Sequence, residues 1–287
     1  MTGIIMDGKA LAEEVKARVR IEVNRSIKDG IRPTLATILV GDDPASISYV
    51  KAKHKSCEDV GIRSQNYHLP KESSEDDILR LIESLNKAKD IHGILVQLPL
   101  PSHIDPYKVI EKIDPVKDVD GLHPENLGKL FHKKGDLIPC TPKGIMALLK
   151  KYNIEVRGKN AVIVNRSNLV GKPLYHLLVN DDATVTICHT KTRNIVEHMR
   201  NADILVTAVG RRPEFVVTSD MVKEGAIVID VGMNRIEGKL CGDVDFNSVI
   251  EKVSYITPVP GGVGPMTVAM LLENTLIAMN LQTRKGF

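Results

Sequence analysis

The chain has 287 residues, 43% hydrophobic and 26% charged, with a net charge of +3; this suits a soluble globular protein with a large core in one or two domains. So small a positive balance, with no basic tail, gives no footing for nucleic acid, and 3% aromatic residues without a Trp leave little for base stacking. The cysteines, Cys57, Cys140, Cys188 and Cys241, are far apart and form no Cys-x-x-Cys pair, which argues against a disulfide framework or a zinc site and fits a reducing cytoplasm.

The opening MTGIIMDGKALAEEV lacks the apolar core of a signal peptide, and no window is long enough to span a membrane, so a cytoplasmic location is expected. The first clear strand candidate is TLATILV, Thr34 to Val40. Asp43 then reads as a helix cap with Pro44 as first helical residue. At about 100° per residue, Ile47, Val50, His54 and Cys57 form a stripe that should face the core. Lys51 and Lys55 share another side, in solvent. Lys53 points nearly opposite to them and lies one turn after Tyr49, so Tyr49 and Lys53 flank the buried stripe and border a cleft. A lysine at the edge of a core ordinarily snorkels to water. To act as a general acid/base it must be moved from about 10.4 toward 7, a difference of roughly 4–5 kcal/mol, which burial away from a carboxylate achieves and exposure does not. Gln97, at the end of GILVQL (Gly93 to Leu98), is the candidate neutral neighbour, because ligands of such sheets bind beyond the carboxyl ends of strands. The plainer role for Gln97 is a turn hydrogen bond.

Further on, KDVDG (Lys117 to Gly121) carries Asp118 and Asp120 without a companion His or Glu at ligand spacing, so no metal is assigned. Such an aspartate either accepts two hydrogen bonds from a flat amidine-like edge or closes an Asx turn before Gly121. The surrounding run DPVKDVDGLHPENLGKL reads as a long connecting loop. Thr141 as cap and Pro142 as first residue then open a helix with Ile145, Leu148 and Leu149 on its apolar face. A boundary falls here. Residues 1–140 and 141–266 are expected as two α/β domains with a ligand cleft between them, the last helix, about 267–287, packing back on the first.

The second domain opens with AVIV (Ala161 to Val164) and continues with TVTIC (Thr184 to Cys188), DILVTAV (Asp203 to Val209), AIVIDV (Ala226 to Val231) and SYITPV (Ser254 to Val259). Nearly continuous apolar runs suit strands covered on both faces of a parallel sheet, and alternation with helices gives the α/β class. This domain reads as Rossmann-like. In the turn after AVIV, NRSNLVGKP, such a fold sets cofactor phosphates on a helix N-terminus, yet only Gly171 remains of the glycine fingerprint. At the end of the second strand an NAD site places an acid, whereas this chain reads CHTKTRN. A solvated turn with an incidental arginine is the plainer reading; the missing acid together with Arg166 and Ser167 favours the 2′-phosphate of NADP. Gly261, Gly262 and Gly264 precede the last helix, where glycine permits close approach of a planar ligand or simply a tight turn. The nine histidines are scattered and read as structural or surface.

The motifs SYVKAK, GILVQLPLP, KDVDG, PCTPKGI, RSNLVGKP, AIVIDVG and ITPVPGGVGPMTVAML occur in this order. With them the chain resembles, over essentially its whole length, the bifunctional methylenetetrahydrofolate dehydrogenase/cyclohydrolase family. The resemblance implies NADP-linked oxidation of 5,10-methylenetetrahydrofolate and hydrolysis of the methenyl product to 10-formyltetrahydrofolate, within one-carbon metabolism and purine biosynthesis. By the same match Lys53 is the catalytic lysine, Tyr49 its ring-stacking partner, Gln97 the glutamine that tunes it and Asp120 the carboxylate on the pterin edge. Pro260, Gly261 and Gly262 correspond to the wall of the folate cleft. NADP is implied at Asn165, Arg166, Ser167, Thr190 and Met233, and a homodimer through the cofactor domain is implied as well. Where the family commonly has glycine, this chain has Asn165; asparagine tolerates a left-handed backbone, so the turn is expected to persist with altered cofactor approach. Two rival readings are a dehydrogenase without cyclohydrolase activity and a nucleotide-sensing module without chemistry.

Overall fold

The computed structural model describes residues 2–284. In chain order its elements are β1 (Ile4–Ile5), α1 (Gly8–Lys28), β2 (Thr34–Val40), α2 (Pro44–Val60), β3 (Arg63–Leu69), α3 (Glu75–Lys87), β4 (Gly93–Val96), α4 (Pro106–Lys112), α5 (Pro124–Phe131) and α6 (Cys140–Lys151). They continue with β5 (Asn160–Val164), α7 (Gly171–Asn180), β6 (Thr184–Cys188), α8 (Ile195–Arg200), β7 (Ile204–Thr207), β8 (Ile227–Asp230), β9 (Asn234–Ile236), β10 (Lys239–Cys241), α9 (Phe246–Val249), β11 (Tyr255–Ile256) and α10 (Val263–Arg284). Two compact units result among the described residues, 2–13 with 141–267 and 14–140 with 268–284. Residues 2–13 therefore group with 141–267 and not, as expected, with the rest of 1–140. Their backbone explains this: β1 pairs in parallel with β11, and the amides of Gly3 and Met6 donate to the carbonyls of Ile250 and Ile256 at 2.7 and 2.8 Å.

The unit containing 14–140 is built on a three-stranded parallel sheet, ordered β3-β2-β4. Every residue of β2 is buried, which is why its apolar run is nearly continuous, with Thr37 buried inside it. Ile78, Ile82 and Leu85 of α3 pack with Ile38, Ile94 and Val96 in the core. Asp43 caps α2 by accepting the Ser46 amide at 2.8 Å, Pro44 leads the helix, and Gly61 closes it in the left-handed region at φ 89°. Such a backbone favours glycine. From α10, Asn274 Nδ2 donates to the carbonyls of Val119 (2.9 Å) and Ile138 (2.8 Å). This helix begins four residues before the expected Thr267, and residues 285–287 of the expected segment lie outside the described residues.

The other unit holds a six-stranded sheet ordered β1-β11-β8-β7-β5-β6, parallel throughout. β5 has β6 on one side and β7 on the other, so the winding direction reverses between β5 and β7, the place where open α/β sheets bind ligands. The helix expected to be capped by Thr141 instead begins at Cys140; Thr141 lies inside its first turn, with Oγ1 3.0 Å from Thr267 Oγ1. SYITPV forms only the two-residue β11, since Pro258 and Pro260 supply no amide for a ladder. After β8 comes the β9–β10 hairpin, whose turn residues Glu237 (φ 49°) and Gly238 (φ 78°) are both left-handed, as a two-residue primed turn requires. Cys241 ends β10 half-buried, while Cys57, Cys140 and Cys188 are buried.

Candidate functional site

On α2, Val50 and Cys57 are buried and Ile47 and His54 half-buried, so the expected stripe is the packing face. Lys51 and Lys55 are exposed, and Lys53 is half-buried beside the stripe. Its Nζ donates to Oε1 of Gln97 at 3.0 Å. Gln97 is 9% exposed, and its own Nε2 donates to the Leu98 carbonyl at 2.6 Å. The amide nitrogen is thus engaged by the following peptide, and the side chain presents a neutral acceptor to the lysine. Its backbone amide continues the sheet by donating to Ile38 at 2.9 Å, fixing the residue at the carboxyl end of β4. Tyr49 stands one turn before Lys53 and is 38% exposed. One turn beyond, burial pushes the Cys57 thiol up to about 12, against the pull of the Lys53 charge; Cys57 is packing.

The two carboxylates of KDVDG separate. Asp118 is 1% exposed and accepts from the His123 amide and from Asn126 Nδ2, both at 2.8 Å, while burial raises its pKa. It is a structural clamp. Asp120 is half-buried, on a turn closed by the Gly121 amide donating to Asp118 O at 3.1 Å. Gly121 has φ 70°, and a Cβ there would stand 2.6 Å from the Ile138–Pro139 peptide, so only glycine fits. Lys117, 5% exposed, sends Nζ to the carbonyls of Leu85, Asn86 and Ala88 at 3.0, 2.8 and 2.7 Å, capping the C-terminus of α3. These ties hold the backbone that carries Asp120.

Pro260, Gly261 and Gly262 belong to the other unit, between β11 and α10. Gly261 has φ 108°, and its carbonyl accepts the Lys9 amide at 2.8 Å. A Cβ on Gly262 would meet the Pro258 carbonyl at 2.6 Å, and one on Gly8 would meet the Gly262 carbonyl at 1.9 Å. Close packing of main chain accounts for both glycines. Gly264 lies inside α10.

Asn165 is absent from the residues with positive φ; the turn does not use the left-handed tolerance of asparagine but its side chain. Oδ1 accepts from the Ser167 amide (2.7 Å), Ser167 Oγ (2.7 Å) and the Gly171 amide (3.0 Å), and Nδ2 donates to the Ala208 carbonyl at 2.7 Å. The ends of β5 and β7 are thereby clamped together. Ser167 Oγ also accepts the Val170 amide at 3.1 Å, so the turn satisfies by itself amides that a glycine-rich turn leaves for an anion. Gly171 remains because a Cβ there would stand 2.1 Å from the Asn165 carbonyl.

Beside this clamp is a hollow of about 560 Å³ lined by Asn165, Arg166, Ser167, His189, Thr190 and Arg211, among others. Four of the five expected cofactor residues line it. Met233 does not; it lies on the loop after β8, 46% exposed. Arg211 was missed in the sequence, although the Arg211–Arg212 pair follows β7 at the carboxyl edge of the sheet. Glu214 is the single acid among the lining residues, and none stands at the end of β6. The donor set therefore fits a dinucleotide carrying an extra phosphate. Among the described residues no group of three or more His, Cys, Asp or Glu is arranged to hold a metal ion, and no helix is long and apolar enough to cross a membrane.

Residues 6–120 match the catalytic domain of tetrahydrofolate dehydrogenase/cyclohydrolase, and residues 139–283 match its NAD(P)-binding domain. A bifunctional FolD protein of Nitrosopumilus maritimus is 52% identical over 286 residues, 100% of each chain. Among solved structures, the bifunctional enzyme of Campylobacter jejuni superposes with a TM-score of 0.94 at 50% identity, covering 96% of this chain and 98% of its own. The Trypanosoma brucei methylenetetrahydrofolate dehydrogenase-cyclohydrolase, complexed with NADP cofactor and inhibitor, gives 0.93 at 37% identity and 99% coverage of both chains.

Proposed function

The chain belongs to the tetrahydrofolate dehydrogenase/cyclohydrolase family, and from that premise we propose that it oxidises 5,10-methylenetetrahydrofolate with NADP and hydrolyses the methenyl product to 10-formyltetrahydrofolate. The observation that carries this reading is the Lys53 Nζ–Gln97 Oε1 hydrogen bond of 3.0 Å at the carboxyl end of β4.

Bound NADP supplies the acceptor for the oxidation. That step needs no base, because the folate nitrogen lone pair stabilises the cation left on the one-carbon unit; the chain's part is alignment. Arg166, Thr190 and Arg211 hold the phosphate-bearing end; Ser167 lines the same hollow and, with its amide and hydroxyl donating to Asn165, fixes the turn beneath them. Tyr49 stacks on the pterin and Asp120 takes its amidine-like edge, with Pro260, Gly261 and Gly262 as further folate-binding positions. Hydrolysis does require proton transfer, to and from the water that adds to the methenyl carbon. Lys53 holds that proton at Nζ, and Gln97 orients it through a neutral oxygen that does not trap it as an ammonium.

In this reading 14–140 with residues 268–284 of α10 is the folate-handling domain, and the unit containing 141–267 the NADP domain. The enzyme works in the cytoplasm as a homodimer. The assay is spectrophotometric, with NADP and NAD side by side and methenyl hydrolysis followed separately. Lys53→Met should retain the circular dichroism of the native chain and lose hydrolysis. Intact hydrolysis in that variant rejects the role of Lys53, and absent NADPH formation in the unaltered protein rejects the dehydrogenase.

A further inference from the structure

Two buried carboxylates in the unit of the six-stranded sheet have no part in the chemistry above. Asp230, 4% exposed, ends β8, and Asp243, fully buried, follows β10. Asp230 Oδ1 accepts the amides of Gly232 (2.9 Å) and Asp243 (3.0 Å), and its Oδ2 accepts that of Val244 at 2.9 Å. Asp243 accepts the amides of Val209 (2.7 Å) and Gly210 (2.9 Å) and the Asn234 side-chain amide (3.1 Å). Asn234 in turn accepts the Arg212 amide at 2.8 Å. Each carboxylate is seated against a glycine beside the other. A Cβ on Gly242 would fall 1.9 Å from Asp230 Oδ2, and one on Gly232 would fall 2.2 Å from Asp243 Cγ.

Burying charge this deeply is unfavourable unless hydrogen bonds satisfy it, and apolar side chains would fill the space without that penalty. What a carboxylate adds is direction: it fixes where amides point. Apart from 243–244, whose amides Asp230 holds beside Asp243 itself, the amides fixed here belong to two segments. One is 209–212, and both Val209 and Arg211 line the hollow. The other is 232–234, where Met233 stands between Gly232, tied to Asp230, and Asn234, tied to Asp243. The two segments also touch, since a Cβ on Gly210 would lie 3.5 Å from the Met233 carbonyl.

We propose that Asp230 and Asp243 are positioning residues for the dinucleotide, setting the 209–212 and 232–234 segments so that Arg211 and Met233 meet the cofactor. This rests on the assignment of the hollow to NADP. The test variant is Asp243→Asn, which keeps the shape but turns one acceptor into a donor facing backbone amides. Isothermal titration calorimetry should show the Kd for NADP raised tenfold or more, with KM for NADP rising in step. KM for methylenetetrahydrofolate and the rate of methenyl hydrolysis should stay within twofold. Asn234→Ala, a milder change in the same chain of contacts, should raise the NADP Kd threefold or more, and decides the matter where Asp243→Asn does not fold. Unchanged NADP binding in a folded variant, or equal loss of NADP binding and hydrolysis, overturns the proposal. An unaltered protein that does not bind NADP rejects the assignment of the hollow, and with it this proposal.

Discussion

Replacing Gln97 by glutamate changes one atom's chemistry at a fixed place and probes the proton-transfer step directly. The amide oxygen stands 3.0 Å from Lys53 Nζ, and the new side chain has no donor for the Leu98 carbonyl that now holds Nε2 at 2.6 Å. Its charge therefore acts on the lysine at close to the present distance. A unit charge at that separation favours the ammonium by about 1.4 kcal/mol at the dielectric of water and by about 5.5 kcal/mol at an effective value of 20. Lys53 is half-buried, so the lower figure is a floor. Because about 1.4 kcal/mol is a factor of ten, hydrolysis at neutral pH should fall at least tenfold. The pH at which it reaches half its maximum should move upward by about one unit or more, since an opposite charge favours the protonated lysine. The assay is disappearance of the methenyl chromophore across a pH series, with folding checked by circular dichroism. A folded variant whose hydrolysis rate and pH profile lie within twofold of the parent would refute the role given to this pair.

Asn165→Gly removes four hydrogen bonds from a half-buried side chain, and at about 1 kcal/mol each, partly replaced by water, it should lower stability by about 2–3 kcal/mol in urea unfolding. Lys117→Met strips the cap from three carbonyls at the end of α3 and should cost about 2–3 kcal/mol in the same measurement. Asp230 has its pKa raised to about 6, chiefly by burial, so the native state binds its proton more tightly than the unfolded chain, whose aspartates titrate near 3.9. The contribution is full below about pH 4 and is lost as pH rises to about 6, so unfolding free energy compared with Asp230→Asn should drop by roughly 3 kcal/mol across that window. A flat difference between pH 4 and 6 would contradict it.

Legibility in the sequence followed burial. The apolar runs of β2, β5 and β8 are readable because both faces of each strand are covered. β3 is an edge strand, RSQNYHL, whose exposed and half-buried polar residues carry no such run. The two residues of β1 are held by a sheet whose other strands lie far along the chain, and the β9–β10 hairpin is short, polar and outside the main sheets. Asp43, Pro44 and the spacing of Val50 and Cys57 place Lys53 beside the packing face, because caps and helical period are local properties. The backbone amides that Asp230 and Asp243 collect are not local. Positions 209 and 210 lie more than thirty residues before Asp243, and no side-chain pattern announces a carboxylate bound to main chain. Asp118 shows the same limit: KDVDG offers two similar acids, and only packing tells the clamp from its half-exposed neighbour.

The half-buried thiol of Cys241 immediately precedes Gly242 and Asp243, whereas burial raises the pKa values of Cys57 and Cys188 and leaves them poor targets for alkylation. A maleimide dye should consequently attach first at the end of the hairpin. The unaltered chain would then carry its own optical reporter two residues from the deeper carboxylate, whose emission should change when dinucleotide is added and stay constant when folate is.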